Sequence, residues 1–138
     1  MKALTKSHGA IKLLGITGAI YCAAGIISES IRFFAYRDDL PGLFFTATIW
    51  NAAEYLLAIP FLIGLKLGKV WDAISLFFCG FLVYQGLAGP FRYIASAFVE
   101  TGATFAEVWP ETLEVIVHSA GALIILAFII KRWPYKKA

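Results

Sequence analysis

Apolar residues run along this chain in four blocks, each about as long as a membrane span and each followed by a short polar or Gly/Pro-containing stretch. The blocks predict helices over 11–33, 43–65, 70–98 and 110–130. About 20 apolar residues at 1.5 Å each cross a ~30 Å hydrocarbon layer, and a helix satisfies its own backbone there. Lys2, Lys6 and Lys12 ahead of Leu13–Ile27 give the charge pattern of a signal peptide, but the bulky Tyr21 before Cys22 spoils a lipoprotein cleavage site. The first block therefore reads as helix one, with Gly15, Ala19 and Ala23 predicting a smooth face for close helix approach. The connector AYRDDLPG, Ala35–Gly42, combines Asp, Pro and Gly and predicts a turn that makes helices one and two antiparallel neighbours. Pro60 predicts a kink in helix two, and Gly86, Gly89 and Pro90 predict a break in helix three near 86–90. Pro110 and Glu111 suit the first turn of helix four.

Of the 138 residues, 60% are hydrophobic and 15% charged, against about 25% charged in an average soluble domain. The fold class expected is all-α: an integral membrane four-helix transmembrane bundle, one domain over 1–138 with no linker, low-complexity tract or internal repeat. The net charge of +3 comes from short basic clusters at the ends of apolar blocks, so it reports topology and gives no reason to expect nucleic acid. With the N-terminus inside, nine Lys and Arg face the cytoplasm and only Arg32, Arg37 and Arg92 face outward. That asymmetry places both termini in the cytoplasm, in the inner (cytoplasmic) membrane of a bacterium or archaeon. Trp71, Trp109 and Trp133 fall at the boundaries, whereas Trp50 lies deeper and its indole needs a partner. Cys22 and Cys79 lie mid-block, where a thiol is a small hydrophobe, and no disulfide is expected.

Candidate chemistry begins with Asn51 and Glu54 inside the otherwise apolar run TATIWNAAEYLLAIPFLIG, Thr46–Gly64. An acidic residue at a bilayer centre costs roughly 2.5 to 3.5 kcal/mol on insertion scales. Glu54 must therefore be neutralised, paired or hydrated, and it is the first candidate for a functional site. At ~1.5 Å per residue, Asn51 falls roughly 12 Å and Glu54 roughly 17 Å below the outer boundary, Glu114 roughly 6 Å, Gln85 roughly 8 Å and His118 roughly 12 Å, all in the outer half. Asn51 and Glu54 share a face of helix two, and Glu114 and His118 share a face of helix four. A polar pocket in the outer half follows, with Glu29, Arg32 and Arg92 as its lid. Its ligand-binding candidates are Asn51, Glu54, Gln85, Arg92, Glu114 and His118 for a polar head, with the aromatic residues Trp50, Tyr55, Tyr84 and Tyr93 for an apolar body.

Four uses of that cluster are open on the sequence: mutual satisfaction with no ligand, a quinone or lipid pocket, a proton relay through Glu54 and His118, or a metal site. No metal is assigned. Glu54, Glu114 and His118 are the candidates, but di-metal bundles use about four carboxylates and two histidines, and His8 lies at the opposite end from His118. Soluble-enzyme signatures such as G-x-S-x-G, H-E-x-x-H and the P-loop are absent, and no catalytic residue is assigned.

The segment Glu54–Gly68, EYLLAIPFLIGLKLG, with a carboxylate near the start of an apolar run that ends in a Gly-Leu turn, resembles the second helix of DoxX-like membrane proteins. The resemblance covers about a fifth of the chain. It implies four helices with short loops and, as in some members of that family, service as a membrane subunit of a quinone-linked oxidoreductase. Asn51-Ala-Ala-Glu54 is also similar to the Asn-x-x-Glu of glutathione-using eicosanoid enzymes, but Ala47 stands where that family has an arginine. The function expected is a small polytopic subunit of a larger, redox-linked membrane complex, not catalytic alone, that binds a quinone or lipid-like molecule. Its expected partners are the lipid bilayer and other membrane subunits or further copies of itself. The alternative is a small oligomeric proton-coupled transporter or channel using Glu54 and His118.

Overall fold

Four helices carry the chain: α1 Lys2–Tyr36, α2 Gly42–Leu62, α3 Lys69–Ile94 and α4 Phe105–Arg132. This computed structural model describes residues 2–36, 38, 42–94, 102 and 105–132, of which 2–7, 43–45, 90–94 and 105–111 are described by their backbone alone. The chain is all-helical over these residues, and three stretches are long and apolar enough to cross a membrane: His8–Tyr36, Lys69–Gly89 and Thr112–Arg132. The helices pack as a ring in which α1 touches α2 and α4, and α3 touches the same two. Neighbours run antiparallel, since Gly15 and Gly25 of α1 meet Leu62 and Tyr55 of α2, while Gly86 of α3 meets His118 of α4. Cys22, Ala58, Phe61, Leu62, Cys79, Ile125 and Phe128 fill the middle of the ring.

Several boundaries differ from those read in the sequence. α1 and α4 extend past 11–33 and 110–130, because hydropathy marks where a helix is apolar and not where its hydrogen-bond ladder stops. α2 ends at Leu62 and not at 65, because Gly64 adopts a left-handed φ of 73°. Gly64 N–H then donates to Phe61 O at 3.3 Å and Leu65 N–H to Pro60 O at 2.9 Å, the two bonds of a Schellman cap. The buried face of α1 is Gly15, Gly18, Cys22 and Glu29 and not the series Gly15, Ala19, Ala23. Equal steps of four drift around a helix of 3.6 residues per turn, whereas mixed steps of three and four hold one face.

The predicted break near 86–90 is absent: α3 continues through Gly86, Gly89 and Pro90 to Ile94, and 95–98 lie outside the described residues. Pro90 has no N–H to give to the Gly86 carbonyl four residues back. The Ser119 hydroxyl of α4 reaches that carbonyl at 3.1 Å and its own Val115 carbonyl at 2.8 Å, so its one proton is shared between the two acceptors. Pro60 has no N–H for the Leu56 carbonyl in α2, and the turn around it is tied to α3 and α4. The buried Ser75 hydroxyl of α3 accepts from Phe61 N–H at 2.9 Å and donates to Ala58 O at 3.2 Å, bridging the loosened turn. Arg132, in the last turn of α4, donates to Phe61 O at 2.5 Å, with its guanidinium carbon 4.3 Å from the centre of the Phe61 ring.

Ser75→Ala removes both bonds to the α2 backbone; Ala58 O keeps Cys79 Sγ at 3.5 Å, whereas Phe61 N–H loses its side-chain acceptor, at a cost of about 1–3 kcal/mol. We expect a lower thermal midpoint in detergent with helix content unchanged before the transition, read by circular dichroism. Ser75→Thr, which keeps the hydroxyl, is expected to lose less.

Candidate functional site

One helical rule repeated on the four segments builds the site. Asn51, Glu54 and Tyr55 stand three and four residues apart on α2, Leu82, Gln85, Gly86 and Gly89 do so on α3, and Glu114 and His118 are four apart on α4. α1 contributes Tyr21, Glu29 and Arg32. These faces converge on a cavity of about 290 Å³ in the half of the bundle formed by the C-terminal parts of α1 and α3 and the N-terminal parts of α2 and α4. Asn51, Glu54, Tyr55, Gln85, Glu114 and His118 all line it.

Glu54 is at its floor, 1% exposed, and is one of the largest fully buried side chains among the described residues. Its Oε1, and Oε2 of the 9% exposed Glu29, are buried with no hydrogen-bond partner among the described residues. The Trp50 indole is within hydrogen-bonding reach of the Glu54 carboxyl, one turn back on the same helix. At the rim, Arg32 Nη1 lies 3.6 Å from Glu29 Oε1 and its Nη2 lies 3.8 Å from Glu114 Oε1. One guanidinium thus spans α1 and α4.

His118 sits between rim and floor. The Tyr21 hydroxyl donates to His118 Nδ1 at 2.7 Å when the ring proton is on Nε2, which faces Glu114 Oε1 at 3.7 Å. Tyr21 also meets Tyr55 edge to face, with ring centres 5.8 Å apart. Glycines make room for both rings: a Cβ at Gly121 would come within 2.5 Å of the Tyr21 ring, and one at Gly25 within 2.7 Å of the Tyr55 ring. His118, Tyr21 and Tyr55 therefore lead from the half-exposed rim inward to the level of Glu54.

The remaining residues read as candidates fall elsewhere. Tyr84 is 59% exposed and lies outside the cavity, because it sits on α3 between Leu82 and Gln85 and points away from their shared face. Trp50 is 55% exposed and packs against Phe78, touching the site only through Glu54. The side chains of Arg92 and Tyr93 lie outside the described residues. Tyr21 was missed altogether. Its signal is the spacing Tyr21, Gly25, Glu29, Arg32, a polar stripe along one face of an apolar helix.

The cavity is rich in acceptors. Among the described residues, three carboxyl groups, Glu29, Glu54 and Glu114, line it with one arginine, and two of their oxygens have no hydrogen-bond donor. Among the described residues, no group of three His, Cys, Asp or Glu side chains is arranged to hold a metal ion. No protein family, curated protein or solved structure matches this chain.

Tyr21→Phe and His118→Leu are expected to show coupling in a double-mutant cycle of about 0.5–1.5 kcal/mol, the net worth of one intramolecular hydrogen bond. Additive effects on the thermal midpoint would mean that the two side chains do not bond.

Proposed function

We propose that this chain is an integral membrane protein, a four-helix transmembrane bundle with both termini cytoplasmic, that receives the polar head of a quinol or lipid-like amphiphile in the Glu54 cavity. On this reading it serves as a small subunit of a larger, redox-linked membrane complex. The observation that carries the reading is the pair of buried, unpartnered oxygens of Glu54 and Glu29 at one cavity. A buried acceptor without a donor costs about 1–3 kcal/mol, and a ligand bearing hydroxyls removes that cost on binding. The two hydroxyls of a quinol supply donors of that kind. The volume of about 290 Å³ suits a ring-sized head and leaves an apolar tail to lie along the bundle in the acyl chains. The resemblance of Glu54–Gly68 to DoxX-like proteins points to the same ligand class. No side chain here stores electrons, so oxidation of a bound quinol falls to a haem or flavin carried by a partner.

A second reading is supported by the run from Glu114 through His118 and Tyr21 to Tyr55. Groups that exchange protons are spaced from the rim inward, as a proton-coupled transporter or channel requires. Four helices would do this as an oligomer.

Topology is tested by single cysteines placed in a background lacking Cys22 and Cys79. Lys66→Cys is expected to react with an impermeant maleimide only after the cells are opened, and Asp38→Cys in intact cells. The reverse pattern rejects the orientation.

Ligand binding is tested by titrating the purified protein with a short-chain quinol and reading bound ligand by equilibrium dialysis. Glu54→Gln is expected to weaken saturable binding about tenfold, which is ~1.4 kcal/mol, with helix content preserved. Tyr84→Phe, outside the cavity, is expected to bind as the unaltered chain does. Equal binding by the Glu54→Gln protein rejects the quinol reading. Proton-driven flux in liposomes, lost in both Glu54→Gln and His118→Gln, would establish the transporter instead.

A further inference from the structure

The opposite end of the bundle holds a second cavity, of about 450 Å³, between the N-terminal part of α1 and the C-terminal ends of α2 and α4. Its character is the reverse of the first. Ile16, Ile63 and Phe128 give it apolar walls, and His8, Lys12 and Arg132 stand on its rim. No carboxylate lines it among the described residues, and the sequence has no Asp or Glu before Glu29, between Glu54 and Asp72, or after Glu114. Among the described residues, the lining thus carries the cations Lys12 and Arg132 and no carboxylate.

We propose that this cavity is a binding site for one anionic phospholipid of the cytoplasmic leaflet, with the phosphate at the rim and the start of an acyl chain against the walls. The proposal rests on the membrane reading above but not on the quinol. Arg132 is already fixed at the rim by its bond to Phe61 O and by its stacking over Phe61. That bond uses one of the five donors of its guanidinium fork, and a fork held in place loses little freedom when it binds phosphate. Lys12 lies on the same cavity from α1, so a phosphate between the two would bridge α1 and α4 as Arg32 does at the other end. Ile16 and Ile63, each about half exposed, carry the apolar wall outward onto the flank of the bundle. A free phosphate has no use for that wall, whereas an acyl chain does. Basic cavities between helices on the cytoplasmic side suit anionic headgroups on electrostatic grounds, at about 1 kcal/mol per Lys or Arg near the surface.

The test is native mass spectrometry of the full chain from micelles holding equimolar phosphatidylglycerol and phosphatidylcholine. We expect one phosphatidylglycerol to be retained in preference to phosphatidylcholine. Lys12→Gln is expected to lower that retention about fivefold, while Lys69→Gln, the same loss of charge on α3 outside the cavity, leaves it unchanged. Ile16→Trp, which fills the groove without altering charge, is expected to lower it as well. Equal retention of the two lipids, or equal loss in the Lys12 and Lys69 variants, overturns the site and leaves only a basic surface. Displacement of the lipid by inorganic phosphate overturns the role of the walls. A chain that stays soluble and monodisperse without any detergent overturns the membrane reading and this proposal together. Failure of quinol binding touches neither.

Discussion

A carboxyl group withdrawn from water inside an apolar helix needs partners brought from elsewhere in the chain, and Glu54 imposes that need here. It is buried at the floor of the carboxylate-lined cavity, with Trp50 behind it on its own helix and Tyr55 beside it. The residues that complete its surroundings come from the other three helices. Nothing local to α2 fixes them there. Their positions depend on helix contacts made through glycine, at Gly25 and Gly121, where the missing side chains leave room for the Tyr55 and Tyr21 rings. The polar site and the closeness of the packing are thus one feature seen from two sides.

The two ends of the ring are held by different means. In the half containing the carboxylate cavity, ionic and aromatic side chains meet across helices beside the Ser119 contact to the Gly86 carbonyl, and Arg32 joins Glu29 to Glu114. In the other half, side chains bind backbone: Ser75 reaches Phe61 and Ala58, Cys79 reaches Ala58 at 3.5 Å, and Arg132 reaches Phe61. Pro60 explains the difference. It loosens α2 where the interior is otherwise apolar, and neighbours supply the hydrogen bonds that water would supply at a surface.

Much of this arrangement is legible in the residues themselves. Four apolar blocks gave four helices, and the levels of Asn51, Glu54, Gln85, Glu114 and His118 brought them to one cavity, because depth and face follow from a fixed rise and a fixed turn. Repair was not legible. Gly86, Gly89 and Pro90 look like a break until Ser119, more than thirty positions away, is seen donating to the Gly86 carbonyl. Tyr21 was passed over because its immediate neighbours are apolar and its partner His118 is distant in sequence; only the stripe it forms with Glu29 and Arg32 along α1 marks it. Tyr84 misled for the opposite reason: its depth is right, but its angle around α3 turns it outward.

The glycine at position 86 has a consequence for the shape of the site. A Cβ there would come within 2.5 Å of the Ala122 side chain and 2.8 Å of the His118 carbonyl, so α3 and α4 meet with no room for a side chain between them. Gln85 and Gly89 flank that contact and line the cavity. The wall that α3 contributes is therefore set by the same close approach of backbones that carries His118.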